Sequence, residues 1–146
     1  MSVAVAIDGV RGQLRELPDE LSFVEPPPGM AGLTRFYLAS LDESGFLFAL
    51  RSLESEGVRL FVIPPQAYFA DYAPEVSATV RESLGMAADT QPVMLAVVHP
   101  GHGDATTANL LAPIVVDPTT GAAAQVVLDG DEWPLRAPLG TGSEAA

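Results

Sequence analysis

Short apolar segments of strand length recur along this chain, one of them with a clear period of two, and turn residues separate them. Val3–Ile7 opens the pattern and a weaker segment follows over Leu17–Val24. Residues 35–41 continue it, and Phe46, Phe48 and Leu50 then alternate with Leu47, Ala49 and Arg51. Val58–Ile63 is a further strand, and Val93–Val98 is an uninterrupted apolar run of strand length, as expected of a strand buried on both faces. The breaks carry turn chemistry. Pro26-Pro27-Pro28-Gly29 removes backbone donors, residues 42–45 form a turn, and Pro64-Pro65 ends the fifth strand. Helical spacing occurs once, over about 74–84. Pro74 suits a first turn there, Val76, Val80 and Leu84 recur every four residues, and Gly85 suits the position past the end.

The last clear pair is Pro113–Val116 and Ala124–Leu128. Between them Asp117-Pro118-Thr119-Thr120 fits a type I turn, and Gly121 supplies the left-handed residue leading into the return strand. Seven or more short strands with one short helix predict a mostly β fold, a small antiparallel β-barrel-like single domain. The expected limits are residues 1–136 for the domain and 137–146 for a flexible C-terminal tail of small and polar residues.

Composition narrows the function classes. The 146 residues suit one domain, and 48% hydrophobic content allows a core without staples. Cysteine is absent, which removes disulfides and thiolate metal sites. The start carries no basic leader, and no run of 18 apolar residues occurs, so a cytoplasmic protein without membrane contact is expected. Nineteen acidic residues face seven arginines and no lysine, for a formal charge of −12. Such a surface repels phosphate backbones and speeds encounter with a basic protein, although acidity can equally serve solubility alone.

Catalytic constellations are sparse. His99, His102 and Asp104 alone combine metal-ligand atoms at close spacing, with no third histidine or any cysteine to complete a site; a polar loop at a strand end is the plainer reading. No serine sits in a nucleophile elbow, and phosphate-loop and dinucleotide fingerprints are missing. The expectation is a non-enzyme without catalytic residues, cofactor or metal; the rival is a small-molecule-binding enzyme or module using the His99/His102 loop. Tyr68, Phe69 and Tyr72, beside Asp71, read either as a core plug with Phe69 inside and the tyrosine hydroxyls near water, or as interface anchors. Asn109 either caps a turn through its own side chain or offers its amide to a partner.

Several of these blocks resemble the bacterial flagellar assembly factor FliW family. The resemblance begins near Phe23, passes Gly29 and Gly32, and includes Phe46-Leu47-Phe48-Ala49-Leu50-Arg51-Ser52 and Phe69-Ala70-Asp71-Tyr72. It is most specific where Thr107-Ala108-Asn109-Leu110-Leu111-Ala112-Pro113 is followed by Gln125-Val126-Val127-Leu128, and it covers about residues 20–139. It implies a β-barrel-like monomer that binds flagellin and antagonises the RNA-binding translational regulator CsrA by direct contact, the two partners exchanging on it. Flagellin chaperoning without the regulator is the narrower alternative. Carried over by position, the partner-binding residues would be Phe48, Arg51, Phe69, Asp71, Tyr72, Asn109, Leu110 and Pro113. The chain departs from the family pattern at Arg51, where glutamine is usual, at Asp117 for asparagine, and at Trp133 for tyrosine. At the start, Val10-Arg11-Gly12-Gln13 replaces phenylalanine-glycine-glutamate.

Overall fold

Period-two alternation buries one set of side chains inside a closed sheet. A computed structural model describes residues 2–7, 13–27, 29–99, 106–129 and 132–139. Among them are eleven strands: β1 (Ser2–Ala6), β2 (Leu14–Pro18), β3 (Glu20–Phe23), β4 (Arg35–Ser40), β5 (Phe48–Ser52), β6 (Arg59–Ile63), β7 (Val93–His99), β8 (Thr107–Ala108), β9 (Ile114–Val116), β10 (Ala122–Gln125) and β11 (Ala137–Pro138). Two short helices, α1 (Pro65–Tyr68) and α2 (Ala78–Leu84), stand between β6 and β7.

Seven strands close on themselves in the order β7-β6-β5-β4-β3-β10-β9, with β9 pairing back to β7. Neighbours are antiparallel except at one seam, where β10 runs parallel to β3 through Ala122 opposite Ser22 and Ala123 opposite Phe23. Closure leaves few bare edges, a general liability of open sheets. The β1–β2 hairpin forms its own two-stranded sheet and contributes Val5 and Leu17 to the barrel interior.

β7 explains the division of the core. Val93, Leu95 and Val97 point into the barrel with Phe36, Leu38, Phe48, Leu50 and Ile114. Met94, Ala96 and Val98 point outward and are covered by Tyr72, Leu84, Met86 and Leu110. The strand is therefore buried on both faces, as its unbroken apolar run predicts.

Local chemistry sets the helices. Ser77 caps α2, its Oγ accepting the Val80 N–H at 3.2 Å, and Gly85 ends it at φ 67°. The helix thus starts four residues later than the expected 74, because the serine side chain fixes the first turn and Pro74 stays in the irregular lead-in. α1 was not expected as a helix; it is a single turn with Pro65 at its first positions, so the fold holds two short helices rather than one. The weak 17–24 segment divides into β2 and β3. Ala137–Pro138, placed in the tail by composition, pairs with Thr107–Ala108, whereas residues 140–146 of that tail lie outside the described residues.

Candidate functional site

The segment from Asn109 to Pro113 has no regular secondary structure, so its backbone groups must find partners individually. Asn109 supplies two of them: its Oδ1 accepts the N–H groups of Leu111 at 3.1 Å and Ala112 at 3.0 Å. The asparagine amide oxygen is thus turned inward as a turn cap, and the residue is buried. The return segment supplies the others. Val126 and Leu128 donate their N–H groups to the carbonyls of Pro113 (2.9 Å) and Leu111 (2.8 Å), and Gln125 Nε2 donates to Ala112 O at 3.0 Å. Regular pairing of β10 therefore ends at Gln125, short of the expected Leu128, because the residues beyond it clasp this loop.

The turn below is built as the sequence indicates. Asp117 Oδ1 accepts the Thr119 N–H at 2.9 Å, and the Gly121 N–H donates to Asp117 O at 2.8 Å with the glycine at φ 85°. A Cβ at Gly121 would stand 2.7 Å from Glu20 O, on the strand across the parallel seam, so both conformation and space call for glycine.

Tyr72 fastens the α1 region to this loop. Its ring is 1% exposed, its hydroxyl donates to Leu110 O at 2.8 Å, and Trp133 meets it edge-on at 4.7 Å between centroids. Leu110 N–H in turn donates to Pro134 O at 3.1 Å. Burial raises the phenol pKa well above its ordinary value. The core plug is accordingly Tyr72, with its hydroxyl away from water, while Phe69 is only half-buried; this reverses the expected arrangement of the two rings. Tyr68 is partly exposed and donates its hydroxyl to Phe46 O at 2.9 Å; desolvation, then the nearby Asp42 charge, raises its pKa.

The eight residues carried over from the family blocks thus separate by depth. Tyr72, Asn109, Leu110 and Pro113 meet beneath one face and hold its shape from inside. Phe48 lies wholly within the barrel. Phe69, Asp71 and Arg51 reach the surface, the last on the outer side of β5. Around the clasped loop, Val127 at 68% and Leu135 at 50% exposure present apolar side chains that the sequence did not single out. Val127 lies within the Gln125–Leu128 block and Leu135 follows Trp133, but nothing in a local pattern marks either as outward-facing.

Polar clefts elsewhere are built differently. A depression of about 800 Å³ lies between the β1–β2 hairpin, the lead-in to α2 and the start of β7, with Arg15, Gln66, Glu75, Arg81 and Gln91 on its walls. Its two arginines brace the 87–91 loop: Arg15 donates to Gln91 O, and Arg81 to Ala87 O and Thr90 O. His99 is exposed at the end of β7 and lines none of the described cavities, and His102 and Asp104 lie outside the described residues. No group of three metal-ligating side chains occurs among the described residues. No helix among them is long and apolar enough to cross a membrane.

Hydrogen bonds from 125–128 to 111–113 join the blocks read as most specific in the sequence. The family described as FliW protein matches residues 12–139. The chain belongs to the FliW family. A relative from Syntrophotalea carbinolica, named flagellar assembly factor FliW, is 32% identical over 117 residues, spanning 80% of this chain and 84% of the relative. One of the same name from Thermotoga neapolitana is 32% identical over 125 residues, with 83% and 84% covered. A crystal structure of the flagellar assembly factor FliW superposes with a TM-score of 0.74 at 22% identity, covering 94% of this chain and 96% of that one, and shares its fold.

Proposed function

We propose that this protein is a cytoplasmic, non-enzymatic flagellar assembly factor that binds flagellin and, where its host makes the regulator, antagonises CsrA by direct protein–protein contact. Family membership over residues 12–139 carries the proposal, and the curated relatives bear the flagellar assembly name. The site's construction supports it. Three buried residues of the most specific block, Asn109, Leu110 and Pro113, together with Tyr72, shape one face, so these residues serve a surface of fixed form rather than a reacting group. Phe69, Asp71, Val127 and Leu135 reach the surface on segments joined to this loop. A stable protein complex buries about 1,200–2,000 Å² in total.

The charge of −12 supports a basic partner and direct exclusion of nucleic acid. Antagonism of an RNA-binding protein then follows from occupying that protein, without RNA contact by this chain. Calorimetry with flagellin from the same organism is expected to give a one-to-one complex of a monomeric factor; no heat at tens of micromolar overturns the flagellin reading. Excess protein is expected to release RNA from the regulator in a gel shift, and an unchanged shift leaves flagellin chaperoning alone.

A further inference from the structure

We propose that Arg51 and Arg59 form a seat for a carboxylate on a partner polypeptide lying across β5 and β6. The two residues are direct cross-strand partners in the β5–β6 ladder, and both are exposed. Side chains directly opposite in an antiparallel pair have Cβ atoms about 4.5–5.5 Å apart, and like charges there oppose folding. Solvent alone screens the repulsion. Among the described residues the one ion pair is Arg35–Glu20, and Glu56, which borders the same depression, is in no ion pair with either arginine. Glu54 is occupied as well, its Oε1 accepting the N–H groups of Thr34 and Arg35.

In a chain with seven arginines and a charge of −12, two of them side by side invert the local sign. A carboxylate bridging both guanidinium groups removes the repulsion and gains charge-assisted hydrogen bonds. The surroundings suit a peptide. The depression has a volume of about 540 Å³ and is bordered by Ser52 and Phe61; Arg59 is stacked 4.9 Å over the Phe61 ring, which preorganises its guanidinium. Tyr37, 40% exposed, follows in register on the other side of Arg51 and extends the row with an aromatic surface. The whole-molecule charge repels a polyphosphate strand but attracts a basic protein, whose single acidic side chain then fixes register at the seat. The inference rests on reading the chain as a binding protein, but it does not depend on which protein is bound.

The test is a titration of the full chain, followed through the arginine Nε–Hε resonances, with a blocked hexapeptide bearing one central glutamate and with its glutamine counterpart. The glutamate peptide is expected to shift Arg51 and Arg59 saturably and to bind at least ten-fold more tightly than the glutamine peptide. R51Q and R59Q are each expected to weaken it ten-fold, R35Q to leave it unchanged, and both seat variants to melt at or above the parent temperature at low salt. Equal binding of the two peptides, or glutamate-peptide binding that survives R51Q and R59Q, overturns the proposal. So does a melting temperature lowered by both substitutions, which would make the pair structural. Saturation by inorganic phosphate with the peptide silent reduces the seat to an adventitious ion only, and displacement of the peptide by an oligothymidylate assigns it to nucleic acid; either result overturns it. Flagellin binding measured separately is untouched by these outcomes, so the two readings fail independently.

Discussion

The Tyr72 hydroxyl donates to the Leu110 carbonyl oxygen at 2.8 Å, joining the segment after α1 to the loop that follows β8. Phenylalanine at position 72 keeps the ring but leaves that carbonyl buried without its donor. Tyr72→Phe is expected to cost about 1–3 kcal/mol, read as a lower urea midpoint with unchanged slope. An unchanged midpoint would mean that the bond contributes nothing to holding the loop.

The same phenol makes stability sensitive to alkali. Its folded pKa is raised by burial above an unfolded value of about 10, so the folded state holds the proton more tightly. That contribution is complete below about pH 10 and declines as the pH rises from there toward the higher folded value. Phenolate absorbance from Tyr72 is expected to emerge together with loss of the β circular dichroism signal, and Y72F is expected to remove that coupled step. Ionisation of all three tyrosines with the β signal intact would contradict it.

Asn109 holds the N–H groups of Leu111 and Ala112 with one oxygen. Asn109→Ala leaves two donors of this loop without their partner and is expected to destabilise by about 1–3 kcal/mol. Asn109→Asp retains the acceptor and is expected to recover part of the loss, less the cost of burying its charge. Hydrogen exchange at Leu111 and Ala112 reports the effect locally: both amides should exchange faster in the alanine variant alone.

Gly121 combines a left-handed backbone with a carbonyl 2.7 Å from where a Cβ would stand. Gly121→Ala is expected to lose about 1–3 kcal/mol from the backbone conformation, with the contact to Glu20 O adding to it. Thermal melting of purified protein checks this, and a melting temperature equal to the parent would show that the seam can widen without cost.

Much of this was legible locally. Alternation marked the longer strands, the unbroken run of β7 marked burial on both faces, and Asp117 with Gly121 specified the last turn. What escaped had no local period to betray it. α1 is one turn long, β8 and β11 have two residues each, and helical spacing before Ser77 was broken by the cap itself. The order of the aromatic rings was also hidden: Phe69 and Tyr72 are three residues apart, and only the position of Leu110, supplied by another part of the chain, decides which ring is enclosed. At the candidate site, the family blocks named segments but not the depth of their side chains. The Arg51–Arg59 opposition became visible only with the β5–β6 register.

The seam between β3 and β10 has a bearing on how the molecule is made. Ser22 leaves the ribosome early, yet its neighbour Ala122 emerges only after nearly every other strand. Until then β3 and β9 each lack a flank, and the nascent chain is an open ribbon offering two unpaired strand borders. Bringing such distant residues together is entropically slow, so closure at this seam, rather than local strand formation, completes the barrel.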